Sequence, residues 1–141
     1  MKIALFLLAT GAIAIGALAA DSGGVLVWRN GVPPADAKNP KFGNHALSVS
    51  HRDKDGIPEV HEKVTDIFVI QSGAAELLVG GKVTGGKETA PGEIRGGRIE
   101  GGVRKPVAAG DVVHIPADTP HQFFVAKGKE VSYFVVKVDA Y

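Results

Sequence analysis

Beyond its first nineteen residues the chain alternates apolar and polar positions in short runs with a period of two, and it shows no convincing amphipathic-helix spacing. His45–Arg52 (HALSVSHR) sets Leu47, Val49 and His51 against Ala46, Ser48 and Ser50, the pattern of a half-buried strand. Branched and aromatic residues mark further β-runs: DIFVI from Asp66, AELLV from Ala75, DVVHI from Asp111, QFFV from Gln122 and VSYFVVKV from Val131. Two more strands are expected, one in GVLVWRN up to Asn30, where Trp28 reads as a packing residue, and one carrying Glu59 and His61. Turn chemistry separates the runs. DKDGIP (53–58) is centred on Asp-Gly, Gln71-Ser72-Gly73-Ala74 reads as a hairpin, and PADTP and KGKE read as tight turns. The prolines of GVPPADAKNPKFGN (31–44) exclude a central strand and make that stretch a loop or an edge arm. About eight short strands without a helix predict an all-β sandwich or barrel.

Composition changes this picture in two places. Gly80–Gly110 holds ten glycines and reads as a surface loop with at most short strands, either a lid or a mobile insertion without a role. Its Arg95, Arg98, Arg104 and Lys105 would suit a carboxylate substrate, while Glu93 and Glu100 among them equally describe a solvated mixed-charge loop. At the other place, Lys2, the apolar run Ile3–Leu8 and Ala17-Leu18-Ala19 follow the order of a secretory signal peptide. Cleavage is expected after Ala19, giving a secreted or periplasmic chain; an uncleaved membrane anchor is the alternative. The expected organisation is therefore a signal peptide (1–19), an N-terminal strand and arm (20–43) and one barrel domain (44–141).

Charge narrows the partners. Removing Lys2 takes Lys plus Arg from 16 to 15 against 15 Asp plus Glu, so the mature chain is formally neutral. Neither nucleic acid nor, once the signal is gone, a membrane is an expected partner. The chain has no cysteine, which excludes disulfides, thiolate catalysis and zinc sites of the Cys type.

The candidate chemistry lies in EVHEKVTDIFVIQSG (59–73) and GDVVHIPADTPH (110–121). Glu59 and His61 share a strand face, and the five-residue step to Asp66 suits a strand, a turn and the start of the next strand, returning a carboxylate to the imidazole. With His121 the set has two imidazoles and one or two carboxylates, the facial arrangement that holds a divalent transition metal. Its oxygen content favours manganese or iron, with zinc or nickel also accommodated. Glu59 is a fourth ligand, a base or a salt-bridge partner, and Glu62 is an alternative to it. His114 is a second candidate for moving a proton, or a strand residue with a satisfied hydrogen bond. Phe68, Phe123 and Val125 are expected to line a dry pocket. His45 and His51 read as surface residues, and Tyr133 and Phe134 as barrel wall.

In these two stretches the chain resembles the cupin superfamily. Counting back from Gly73, Asp66 falls on the acidic position of the first cupin motif, His61 on its second histidine and Glu59 on its first; Gly110, Pro116 and His121 match the second motif in register. Glu59 and Asp66 depart from the usual His and Glu, and Asp118 and Val125 stand where Gly and Asn are usual. The resemblance covers about residues 44–138 and implies a double-stranded β-helix, or jelly-roll barrel, and a homodimer. It also implies a small oxygenated substrate handled by dioxygenase, isomerase or lyase chemistry, or a non-catalytic module for a sugar or organic acid.

Overall fold

The computed structural model describes residues 25–35, 37 and 39–140; the expected signal peptide and its cleavage site lie outside them. Twelve strands follow one another: β1 (Lys41–Phe42), β2 (His45–Arg52), β3 (Glu59–His61), β4 (Val64–Val79), β5 (Lys82–Thr84), β6 (Lys87–Ala90), β7 (Glu93–Arg95), β8 (Arg98–Glu100), β9 (Val103–Ala108), β10 (Val112–Ile115), β11 (His121–Phe124) and β12 (Val131–Asp139). The alternating and branched runs at β2, β10, β11 and β12 are strands as expected.

Strand β4 joins two sheets. Its first half pairs antiparallel with β12 on one side and β10 on the other, and β2 and β1 extend that sheet beyond β12. Its second half pairs with β9 and β11, and β3, β7 and β6 extend the second sheet. The expected hairpin at Gln71–Ala74 is therefore absent: the chain runs on as one strand of 16 residues. Gly73 makes this passage possible. It sits at φ 74°, and a Cβ there would fall 1.9 Å from the carbonyl oxygen of Glu130. A residue with a side chain could not bring β4 this close to the turn before β12.

The glycine-rich stretch also departs from expectation, because most of it is strand, β5 to β9, rather than loop. Paired glycines act there as turns that let backbones touch. Gly81 and Gly97 have positive φ, and their missing Cβ atoms would strike the carbonyls of Glu100 and Thr84 at 2.4 and 2.3 Å, closing β5 on β8. At the other end, residues 25–30 (VLVWRN) form no strand. Asn30 and Gly31 take φ of 55° and 69°, closing a 3-10 turn (Arg29–Gly31) where a strand needs extended backbone. Trp28 packs edge-on against Phe134, with ring centroids 5.6 Å apart.

Alternate residues of the two sheets face inward. Phe68 and Ile70 of β4, Leu77 beyond the bend, Phe123 of β11, and Val131, Tyr133 and Val135 of β12 form the buried core. Phe68, Phe123 and Tyr133 stack into one aromatic group, with centroids 4.6 to 5.7 Å apart. Burying each such ring contributes roughly 1.5–3 kcal/mol. The same inward rows continue past this apolar plug into polar residues, and there the site lies.

Candidate functional site

Register brings the site together. In the antiparallel ladders His121 lies opposite Glu59, and Lys137 lies opposite Asp66, so each pair shares a face. The first pair belongs to one sheet and the second to the other, and His61 reaches between them. His61, Asp66 and His121 are 3%, 2% and 4% exposed, the polar residues buried with the core among the described residues.

Ligand atoms of Glu59, His61 and His121 lie within 4.8 Å of one another. Metal–nitrogen bonds of ~2.1 Å put neighbouring ligand atoms ~3.0–3.4 Å apart, so a closing movement of about an ångström would seat an ion among them. The donor chemistry, two imidazoles with a carboxylate, fits a divalent transition metal. Asp66 approaches the same nitrogens, its Oδ2 being 3.2 Å from His61 Nε2 and 3.6 Å from His121 Nε2. Its Oδ1 accepts a hydrogen bond from Lys137 Nζ at 2.9 Å.

Each imidazole is oriented from behind. His121 Nδ1 donates to the carbonyl of Thr119 at 3.0 Å, which turns Nε2 towards the cavity. Burial lowers the pKa of His121 and keeps the ring neutral, the form a metal requires. The supporting loop is held by Asp118, which takes a left-handed φ of 59° and donates its N–H to the carbonyl of His61 at 2.8 Å. His61 Nδ1 lies 2.6 Å from Glu93 Oε2, and its Nε2 lies 2.9 Å from Lys137 Nζ. Burial opposes charge on His61, but the hydrogen bond to Asp66 and the nearby carboxylates outweigh it, and the pKa is raised. Burial likewise opposes ionisation of Asp66, yet its hydrogen bonds to His61 and Lys137 hold the pKa low.

Glu59 is neutralised by arginines. Its Oε1 lies 3.0 Å from Arg95 Nη1 and 3.4 Å from Arg52 Nη2, and its Oε2 lies 3.6 Å from His61 Nε2. The extra anion that replaces the usual histidine is thus balanced by permanent cations. Arg52 also donates Nε–H to the Tyr133 hydroxyl at 2.8 Å.

The polar end of the barrel is a cavity of about 210 Å³, with Phe68, Phe123, Asp66, His121 and Lys137 in its wall. Two expected residues are elsewhere. Val125 is in the apolar core and not in the cavity wall, because the inward row passes from the site into the plug between His121 and Val125. His114 is exposed on the outer face of β10, since its neighbour Ile115 takes the inward position opposite Asp66. Glu62 is exposed too, one residue past the inward His61.

Sequence reasoning overlooked Lys137, Glu93, Arg52 and the phenol of Tyr133, and left Arg95 open. A signal for Lys137 existed: Val131, Tyr133, Val135 and Lys137 form one inward row, and a lysine on a buried face demands a partner.

No protein-family model matches the sequence, and no curated protein matches it significantly. Solved structures do resemble it. An uncharacterized conserved protein with a double-stranded β-helix domain from Klebsiella pneumoniae is 14% identical, with a TM-score of 0.55, over 83% of this chain and 90% of its own. The Streptomyces protein PAC13, solved with uridine, is 9% identical with a TM-score of 0.51, over 72% of this chain and 65% of its own. A Cupin 2 conserved barrel domain protein from Salinispora arenicola is 21% identical with a TM-score of 0.48, over 77% of this chain and 71% of its own. At such identities the likeness concerns the fold, and the fold is the double-stranded β-helix expected from the cupin resemblance.

Proposed function

We propose that this chain is a metal-dependent enzyme acting on a small oxygenated molecule, of dioxygenase, isomerase or lyase type. The observation that carries the reading is that ligand atoms of Glu59, His61 and His121 come within 4.8 Å of one another at a cavity whose wall includes Glu59 and His121. These residues, with Asp66 beside them, would hold a divalent metal, manganese or iron before zinc or nickel. When bound, such an ion polarises a substrate oxygen or activates dioxygen. The chain's own groups do the rest. Phe68 and Phe123 exclude water, Thr119 and Glu93 orient the two imidazoles, and Glu59 can accept a proton at Oε2. Lys137 replaces His114 as the second candidate for moving a proton, at Nζ. We further propose export after cleavage at Ala19, and a homodimer.

One observation favours a second reading, a non-catalytic module for a sugar or organic acid. The Lys137 ammonium already pairs with Asp66 and stands 2.9 Å from His61 Nε2 without an ion. Metal analysis of protein purified without chelators separates the two. A stoichiometric transition metal that is lost in the His61→Ala, His121→Ala double variant supports the enzyme. Thermal stabilisation by small molecules in metal-free protein, with no metal retained, supports the module.

A further inference from the structure

The cavity's charges specify what enters it. Its wall carries three cationic side chains, Arg52, Arg95 and Lys137, against two carboxylates, Glu59 and Asp66. Both carboxylates are already paired inside the protein, Glu59 with two arginines and Asp66 with Lys137. The third cation, Arg95, is shared with Glu93, whose Oε2 lies 3.5 Å from its Nη2, so the surplus positive charge for an anion is the two charges that a bound divalent ion would add. Confinement in a small cavity, with Phe68 and Phe123 in part of its wall, strengthens such a field. A polar row completes the wall: Ser48, Ser50 and Arg52 occupy alternate positions of β2, with Ser50 opposite Tyr133 and Ser48 opposite Val135. Arg52 is held in place by Tyr133, and its guanidinium carbon stands 5.8 Å from the centre of the Phe123 ring. It has five N–H donors and spends them on two acceptors, Tyr133 and Glu59.

We propose that this cavity takes a small carboxylic acid in its ionised form, its carboxylate seated against Arg52 with Lys137 supplying the second positive charge. The proposal rests on the reading of this cavity as the working site and names its substrate class. Planar, monovalent carboxylate matches the fork of a guanidinium, whereas a dianionic phosphate would face Glu59 and Asp66 with a charge too many. At about 210 Å³ the cavity is below the ~300–1,000 Å³ of sites for drug-sized ligands, which limits the acid to a few carbons.

The test is calorimetry at neutral pH on the full mature chain, with and without added manganese. The probes are acetate, glycolate, pyruvate and lactate, each paired with its neutral amide, together with inorganic phosphate. The expected result is that at least one acid binds about 10- to 100-fold more tightly than its amide, the range of charge-assisted hydrogen bonds. That preference should fall at least tenfold in Arg52→Gln, fall less in Arg52→Lys, and survive in Arg98→Gln, a surface control paired with Glu100. Arg52→Lys guards against a folding defect, since it keeps the charge. Amides that bind as well as acids, phosphate that binds more tightly than every acid, no binding by any acid, or an acid preference indifferent to both Arg52 variants would each overturn the proposal. Failure is separable from that of the metal reading: retained metal without acid preference sinks this inference alone, and acid preference in protein that never binds metal sinks the other alone.

Discussion

Replacing Lys137 by Met tests the electrostatics of the site directly. The ammonium is 2.9 Å from both His61 Nε2 and Asp66 Oδ1, so it presses on the atoms an ion would use. An ion on His61 would require the ammonium to give way, and at a separation of about 4 Å two unit charges still repel by about 1 kcal/mol even at the dielectric of water. For a divalent ion the figure doubles to about 2 kcal/mol. The lysine side chain is 36% exposed and can swing outward, so this screened value is the appropriate one. Lys137→Met should therefore tighten divalent-metal binding about 30-fold. The metal-free protein should move the opposite way. Asp66 loses a charge-assisted hydrogen bond of about 1.5–3 kcal/mol, which lowers Tm by roughly 5–15 °C in a domain of this size. Competition against a fluorescent chelator reads the affinity, and thermal unfolding with and without manganese reads the stability. A folded Lys137→Met protein whose metal affinity is unchanged or weaker would refute this account of the site, as would an unchanged Tm in the absence of metal.

Three further expectations concern separate parts of the structure. Glu93→Gln removes the carboxylate behind His61 and should weaken metal binding about 10- to 100-fold with little loss of fold, measured by the same chelator competition. Gly73→Ala should cost at least about 3 kcal/mol in urea unfolding, because its Cβ meets the Glu130 carbonyl, whereas Gly110→Ala, also at positive φ but in open space, should cost only about 1–2 kcal/mol. In metal-free protein Asp66 has a lowered pKa, so its contribution is present above the ordinary carboxylate value of about 4 and disappears as pH falls through the folded-state value. The stability gap between wild type and Asp66→Asn, followed by urea unfolding from pH 7 to pH 2, should accordingly shrink below pH 4; a gap that is constant with pH contradicts the assignment. His61 acts in the opposite sense, its stabilisation being lost as pH rises through its elevated pKa.

Much of the barrel was legible because strand faces are written locally. The two-residue period of HALSVSHR and VSYFVVKV states which residues share a face, and both runs are strands with that alternation. The return of Asp66 to His61 followed from a short turn and a fixed rise per residue, and the two atoms are 3.2 Å apart. Periodicity also placed His114 on the face opposite Ile115, but motif proximity gave it a chemical role that its orientation denies.

What remained hidden depended on distant partners. Gly73 resembled the centre of a hairpin because its usefulness lies in how near the Glu130 carbonyl comes, a neighbour 57 positions further along the chain. The glycines of residues 80–110 looked like looseness, yet they permit tight backbone approach that only strand pairing creates. Lys137 and Glu93 looked like ordinary charges, and became part of the site when register set one beside Asp66 and folding set the other behind His61. Local sequence thus determined the β-strands, their faces and the identity of the metal-ligand candidates, since each follows from steric preferences and side-chain chemistry of neighbouring residues. Tertiary structure alone decided the continuous β4, the order within the glycine-rich segment and the cationic wall, because all three arise from contacts between segments whose separation along the chain carries no periodic signal.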